Sequence, residues 1–159
     1  MASDIFAKIG DIKGESLDDK HKDEIEVLSW SWGVSNAGAI KGASGGGAHK
    51  ASFHDLSFTH NIDKASPVLM QSCATGVHLK EVTITHRKAG KGQLEFLIVK
   101  MSDVIVTSVT QGDSDKGSHS EVVNLVFAKV DLEYVPQKPD GSADAAIHFK
   151  YDILANKGA

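Results

Sequence analysis

Apolar and polar positions alternate with a period of two through most of this chain. The alternating runs return between clusters of Gly, Asp, Asn and Ser, the pattern of an antiparallel sheet protein. Seven strands are predicted. DIFAKI (Asp4 to Ile9) is the first, and the charged segment GESLDDKHKDE leads into the second, EIEVLSWSWGVSN (Glu24 to Asn36). On a straight strand Trp30 and Trp32 point the same way, with Leu28 and Val34 in phase, and form an apolar row large enough to anchor a core. Ser29 and Ser31 then face outward.

After a glycine-rich stretch comes ASFHDLSFTHNI, where Phe53 opens one face and His54, Leu56, Phe58 and His60 line the other. VHLKEVTITHRK pairs with QLEFLIVKMSDVIVTSVTQ across the turn AGKG. From Gln93 to Gln111 that second partner would extend ~60 Å at ~3.3 Å per residue. A strand of that length must bend or leave the core. SEVVNLVFAKVDLEYV follows, and AAIHFKYDIL comes last, after the Asp140-Gly141 turn signal.

The period changes once, in KASPVLMQSCATG, which predicts a helix from Ser66 to Thr75. Ser66 is placed to cap it, Pro67 suits the first turn and Gly76 the exit. Val68, Leu69, Ser72 and Cys73 share a mostly small face, as expected of a short helix covering one opening of a sheet core. Seven strands and one helix in 159 residues indicate one mainly β domain over 1–159, a closed barrel or a two-sheet sandwich.

Composition narrows the partners. The net charge is −4, and Arg87 is the only arginine among 17 cationic residues, which makes nucleic acid a poor partner. Cys73 is single, so no intrachain disulfide forms. Asp4, Lys8, Asp11 and Lys13 interrupt any apolar core of an export signal near the N-terminus. The strongest apolar cluster, Phe96 to Val99, is strand-sized, and membrane insertion is not expected.

Little in the chain suggests chemistry. GASGG (Gly42 to Gly46) matches the G-x-S-x-G nucleophile pattern at Ser44, but no helix follows it as that elbow requires. It also lacks the Gly-Lys-Ser/Thr ending of a phosphate loop. His54 and His60 would sit ~20 Å apart on one strand, too far to share a metal ion. The other histidines are scattered over different elements. Glu15 to Glu24 lacks the spacing and glycine of a calcium loop and reads as a solvated charged loop. No catalytic residue, metal or cofactor is expected.

Several stretches together carry a family resemblance: IFAKIGDIKGES, HKDEIEVLSWSWGVS, FHDLSFTHNIDKASPVLMQSCATG, LEFLIVKMSDVIVTSV and VNLVFAKVDLEYVPQ. In this order they closely resemble Hcp, the haemolysin-coregulated tube subunit of bacterial type VI secretion systems. The resemblance implies a small antiparallel β-barrel of two sheets with one short α-helix, similar to phage tail-tube proteins. It implies a homohexameric ring that stacks into a tube, with a contractile sheath, a spike protein and small effectors in the lumen as partners. It also implies synthesis in the bacterial cytoplasm and release through the type VI system without a signal peptide.

On that resemblance Ser29 and Ser31 are candidate lumen-facing residues. The segment Lys41, Gly42, Ala43, Ser44, Gly45, Gly46, Gly47 and Ala48 is the candidate ring-stacking or inter-subunit loop. Whether this arm docks on a neighbour or is disordered in the free ring stays open, because a glycine-rich segment suits both. The other function consistent with the strand pattern is a monomeric β-sandwich that binds a ligand, against which the scarcity of aromatics speaks for sugars.

Overall fold

The computed structural model describes residues 3–38, 50–90, 92–113 and 116–158. Among these, long strands dominate: β1 (Ser3–Ile9), β6 (Leu56–Asn61), β7 (His78–Lys88), β8 (Glu95–Asp113), β9 (His119–Tyr134) and β10 (Ile147–Asp152). Short pieces complete them: β2 (Ile25–Glu26), β3 (Ser29–Ser31), β4 (Val34–Ser35), β5 (Ser52–Phe53) and β11 (Lys157–Gly158). One helix, α1 (Ser66–Thr75), stands between β6 and β7.

All pairings are antiparallel, and the main sheet runs β11-β10-β9-β8-β7-β1-β2, with β6 on β9 and β3 on β6. β4 and β5 form a separate ribbon. The mainly β class with one helix is as expected. The ladder itself stays open, ending at β2 and β11.

The two long strands serve two layers. The first half of β8 and the second half of β9 lie between β7 and β10, a larger layer. The second half of β8 and the first half of β9 join β6 and β3, a smaller layer. Between them the buried positions change phase: Met101 is followed by Val104 on β8, and Phe127 by Val130 on β9. Asp103 marks that crease with φ 53°, a left-handed conformation Asp tolerates better than most residues. A second irregularity, between Val106 and Ser108, turns the strand further. The expected bend of the long strand is met by these two devices.

A third phase change corrects the expected tryptophan row. Val27 N–H donates to Ile5 C=O on β1, whereas Leu28 N–H donates to Thr59 C=O on β6. The chain thus crosses from one layer to the other within two residues. Val27 turns inward, and Leu28 is 58% exposed. Val34 is also exposed, because β4 has left the core to pair with β5. Trp30 and Trp32 keep their packing against the core. The predicted third strand splits likewise: Leu56, Phe58 and His60 are buried, but His54 falls between β5 and β6 and is exposed.

One apolar cluster fills the space between layers, drawing Ile9, Val82, Met101 and Val130 from the larger and Phe58, Leu125, Val123 and Val106 from the smaller. Helix α1 closes one opening with Leu69 and Ser72 inward and Cys73 packed at the margin, while Val68 faces outward. Gly76 ends it at φ 66°, as its position predicts. Ser66 is not the cap. It is the buried first helical residue, the cap position is Ala65, and Ser66 Oγ accepts from Asp63 N–H at 3.1 Å. Asp63 Oδ1 takes the Ala65 N–H at 2.8 Å and organises the turn instead.

Candidate functional site

Ser29 and Ser31 are exposed, and strand register shows what surrounds them. Ser29 lies opposite Thr59, Ser31 opposite Ser57, and Trp30 between them opposite Phe58. Opposed residues share a face, so the tryptophan and phenylalanine point into the core and the hydroxyls point away. The rows continue: Thr59 meets Val122 and then Thr110, and Ser57 meets Asn124 and then Ser108. Asn61, Ser120 and Gly112 form a third row. The outer face of the smaller layer is therefore paved with short neutral side chains across four strands. A carboxylate, Asp55, enters just before β6, where Thr107 Oγ1 donates to it at 2.9 Å.

The outer face of the larger layer has the opposite character. One row reads Lys8, Thr83, Lys100, Asp131, Lys150, and the next Glu81, Ser102, Lys129, Asp152. Lys129 Nζ lies 3.9 Å from Asp152 Oδ2. Such exposed pairs contribute little stability, but they give the surface a charge pattern that an approaching protein meets first.

The acidic loop between β1 and β2 is not a free solvated loop, which corrects the expectation. Arg87, buried at 2% exposure, donates from Nη1 and Nη2 to both oxygens of Asp18 (2.9 and 2.6 Å) and from Nη2 to Asp4 (3.1 Å). His21 stacks on Phe6 with ring centroids 4.3 Å apart. Its Nδ1 lies 2.7 Å from Glu24 Oε2 and its Nε2 2.8 Å from Glu95 Oε1. Gly14 and Ser16 donate backbone N–H groups to Asp23 and Glu24, so close that a Cβ on Gly14 would run into the Glu24 carbonyl. The single arginine is spent on holding this loop.

Hydrogen bonds from Arg87 hold the Asp18 carboxyl well below the usual carboxylate range. A depressed folded-state value means the stabilisation is present above the unfolded value of 3.8 and is lost as pH falls below it. Asp63, raised chiefly by desolvation, acts with the opposite sign in the adjacent window, so the variant comparison isolates Asp18. Wild type is expected to be more stable than Asp18→Asn at about pH 5, with the gap narrowing toward about pH 2.5. Denaturant melts at both pH values test this, and a gap that stays constant or widens on acidification contradicts it.

Inside the smaller layer, His60 and Glu121 are fully buried, with Nε2 and Oε1 2.9 Å apart. Gln111 Nε2 donates to Glu121 Oε2 at 2.9 Å, and Asp63 Oδ2 lies 3.8 Å from His60 Nδ1. The pair has no access to a substrate and serves as internal structure. Among the described residues no group of three or more His, Cys, Asp and Glu side chains is arranged to hold a metal ion. Lys41 to Ala48, including Ser44, lie outside the described residues.

Comparison with known proteins extends these observations. The family model described as "Type VI secretion system effector, Hcp" matches residues 6–134. The chain is 46% identical to protein hcp1 of Pseudomonas aeruginosa over 159 residues, covering 98% of both chains. It is similar to the crystal structure of Hcp1 from Salmonella typhimurium, at 41% identity and a TM-score of 0.81, with all of both chains covered. A type VI secretion effector from Yersinia pestis is similar at 39% identity and a TM-score of 0.77, covering 94% of this chain and 99% of that one.

Proposed function

The chain belongs to the Hcp family of type VI secretion proteins, and from that premise we propose that it is a tube subunit. Six copies form a ring, rings stack into a hollow tube, and small effectors travel in the bore. The subunit has no catalytic role. It leaves the cytoplasm with the tube, whose outside meets the contractile sheath and whose tip carries the spike protein. The arm at Lys41 to Ala48 contacts a neighbouring subunit or ring.

The observation that carries this reading is the contrast between the two outer faces. A ring repeats every side chain around its bore, so a single fixed charge there becomes a ring of charge that focuses potential and selects cargo by sign. Ser29, Ser31, Ser57 and Thr59 keep the face neutral over β3 and β6, with Asp55 as the carboxylate at its margin. Its short hydroxyls leave the bore wide and offer weak hydrogen bonds to varied proteins. The charged face then lies outside, where a surrounding protein layer recognises it.

The reading predicts the effect of bulk at the bore. Ser31→Gln is expected to leave rings intact and folding stability within about 0.5 kcal/mol, since the position is exposed. Co-purification of a small effector with the ring is expected to fall roughly tenfold, equivalent to about 1.4 kcal/mol. Full retention by both Ser31→Gln and Ser31→Trp rings would move Ser29 and Ser31 to another surface of the assembly.

A further inference from the structure

The alternation on β7 carries one residue out of character. Val82 and Ile84 are buried in the core, and the next place on the same face belongs to His86. Its imidazole meets two rings from other strands, Trp30 of β3 with centroids 5.3 Å apart and Phe96 of β8 at 5.7 Å. Its strand partners are Ile5 on β1 and Leu97 on β8. The ring nitrogen Nε2 is buried and has no hydrogen-bond partner. An aliphatic side chain would fill this place at no such cost, whereas a buried polar atom left unpaired destabilises the fold.

Either neutral tautomer leaves one ring nitrogen without a proton, but the imidazolium carries an N–H on each. On Nε2 that proton meets no oxygen or nitrogen acceptor. Nor does a counter-charge face it among the described residues. Ile5, Trp30, Phe96 and Leu97 are uncharged, Arg87 is committed to Asp18 and Asp4, and Glu95 is turned to His21. Lys88, in phase with His86 on β7, donates from Nζ to Gln137 and lies over the Phe96 ring, so it carries the same sign as the imidazolium. Desolvation alone holds the His86 imidazole below its ordinary value of 6.5. With the folded value below the unfolded one, its stabilisation is present above 6.5 and is lost as pH falls through the folded value.

We infer that His86 is an acid-sensitive latch on β3: neutral, it packs under Trp30 and holds the strand down, and on taking a proton from solvent at Nε2 it loosens that strand. β3 is three residues long and pairs only with β6 among the described strands. Trp30 is its one core-side side chain, because Ser29 and Ser31 face out. The ring that anchors β3 is therefore the ring that His86 touches. Ser29 and Ser31 ride on the same strand, so acidification loosens the proposed bore face and weakens its hold on cargo. That last step rests on the tube reading, and the latch itself does not.

The latch is tested on the 159-residue chain carrying Trp32→Phe, which leaves Trp30 as the only tryptophan. Acrylamide quenching is read at about pH 7.5 and about pH 5, on either side of the ordinary histidine value. His86→Phe and His86→Ile in that background keep the place filled but take no proton. Quenching of Trp30 is expected to rise on acidification with His86 present and to stay flat in both variants. Urea unfolding at the same two pH values is expected to show a larger loss of midpoint with His86 than in either variant. That comparison removes the shared titrations of Asp18, Asp63 and the other histidines. Trp30 quenching that fails to rise with His86 present overturns the latch without reference to any variant, and an equal rise in the variants overturns it too. Both results leave the tube reading standing if the chain forms rings. A chain that forms no rings but responds to acid at Trp30 keeps the latch and overturns its link to a bore.

Discussion

Glu121→Leu is expected to lower the free energy of unfolding by about 3–5 kcal/mol, the cost of removing one partner from a buried polar pair. Leucine matches the volume but accepts no hydrogen bond. His60 Nε2, in a residue with no solvent exposure, loses its partner at 2.9 Å, and Gln111 Nε2 loses its acceptor as well. Asp63 does not replace the lost partner, because it faces the other ring nitrogen and is already engaged in the turn before α1. Glu121→Gln keeps an acceptor in place and is expected to cost less, about 1–2 kcal/mol. Urea unfolding of both variants decides this. A loss below about 1 kcal/mol for Glu121→Leu would mean that His60 finds another partner.

The second large effect lies two residues from His60 along β6. Phe58→Ala is expected to cost about 3–5 kcal/mol, the range for removing a buried aromatic side chain. Phe58 is fully buried, sits opposite Trp30 on β3 and Val123 on β9, and lies 5.6 Å from the His60 ring. It therefore supports the smaller layer from the core side, directly behind the hydroxyl face. Ser57→Ala, on the other face of the same strand, is expected to stay within about 0.5 kcal/mol. Equal costs at the two positions would mean that the face assigned to the bore is packed against something, and the core and outer faces would have to be reassigned.

That contrast between neighbours was readable from alternation alone, since S-W-S on one strand and L-S-F-T-H on another separate wet from dry positions. What a straight period of two misses is where the strands fold over. Val27 to the partly buried Trp30, Met101 to Val104 and Phe127 to Val130 are each three residues apart, and each step marks a passage between layers. Leu28 is in phase with the tryptophans on a straight strand, but it is exposed because the hydrogen-bond partner changes from Ile5 at Val27 to Thr59 at Leu28.

Other features depend on long-range contacts that no local pattern encodes. The loop GESLDDKHKDE is held down by Arg87 and Glu95, about seventy residues further along the chain, so its charges look solvated until strand pairing brings those partners beneath it. The two candidate serines were visible in the sequence, but their continuation through Ser57, Thr59, Asn124 and Ser108 required register. The helix entry shows a closer competition. Ser66 and Asp63 both suit a turn before proline, and Asp63 holds it because Ser66 is drawn into the core.

Self-assembly is tested most directly by electron microscopy of the purified 159-residue chain in negative stain. Six-fold rings with a stain-filled centre are the predicted result, joined at high concentration by short stacks. A population of single-subunit particles, unchanged across protein concentration and ionic strength, would contradict it.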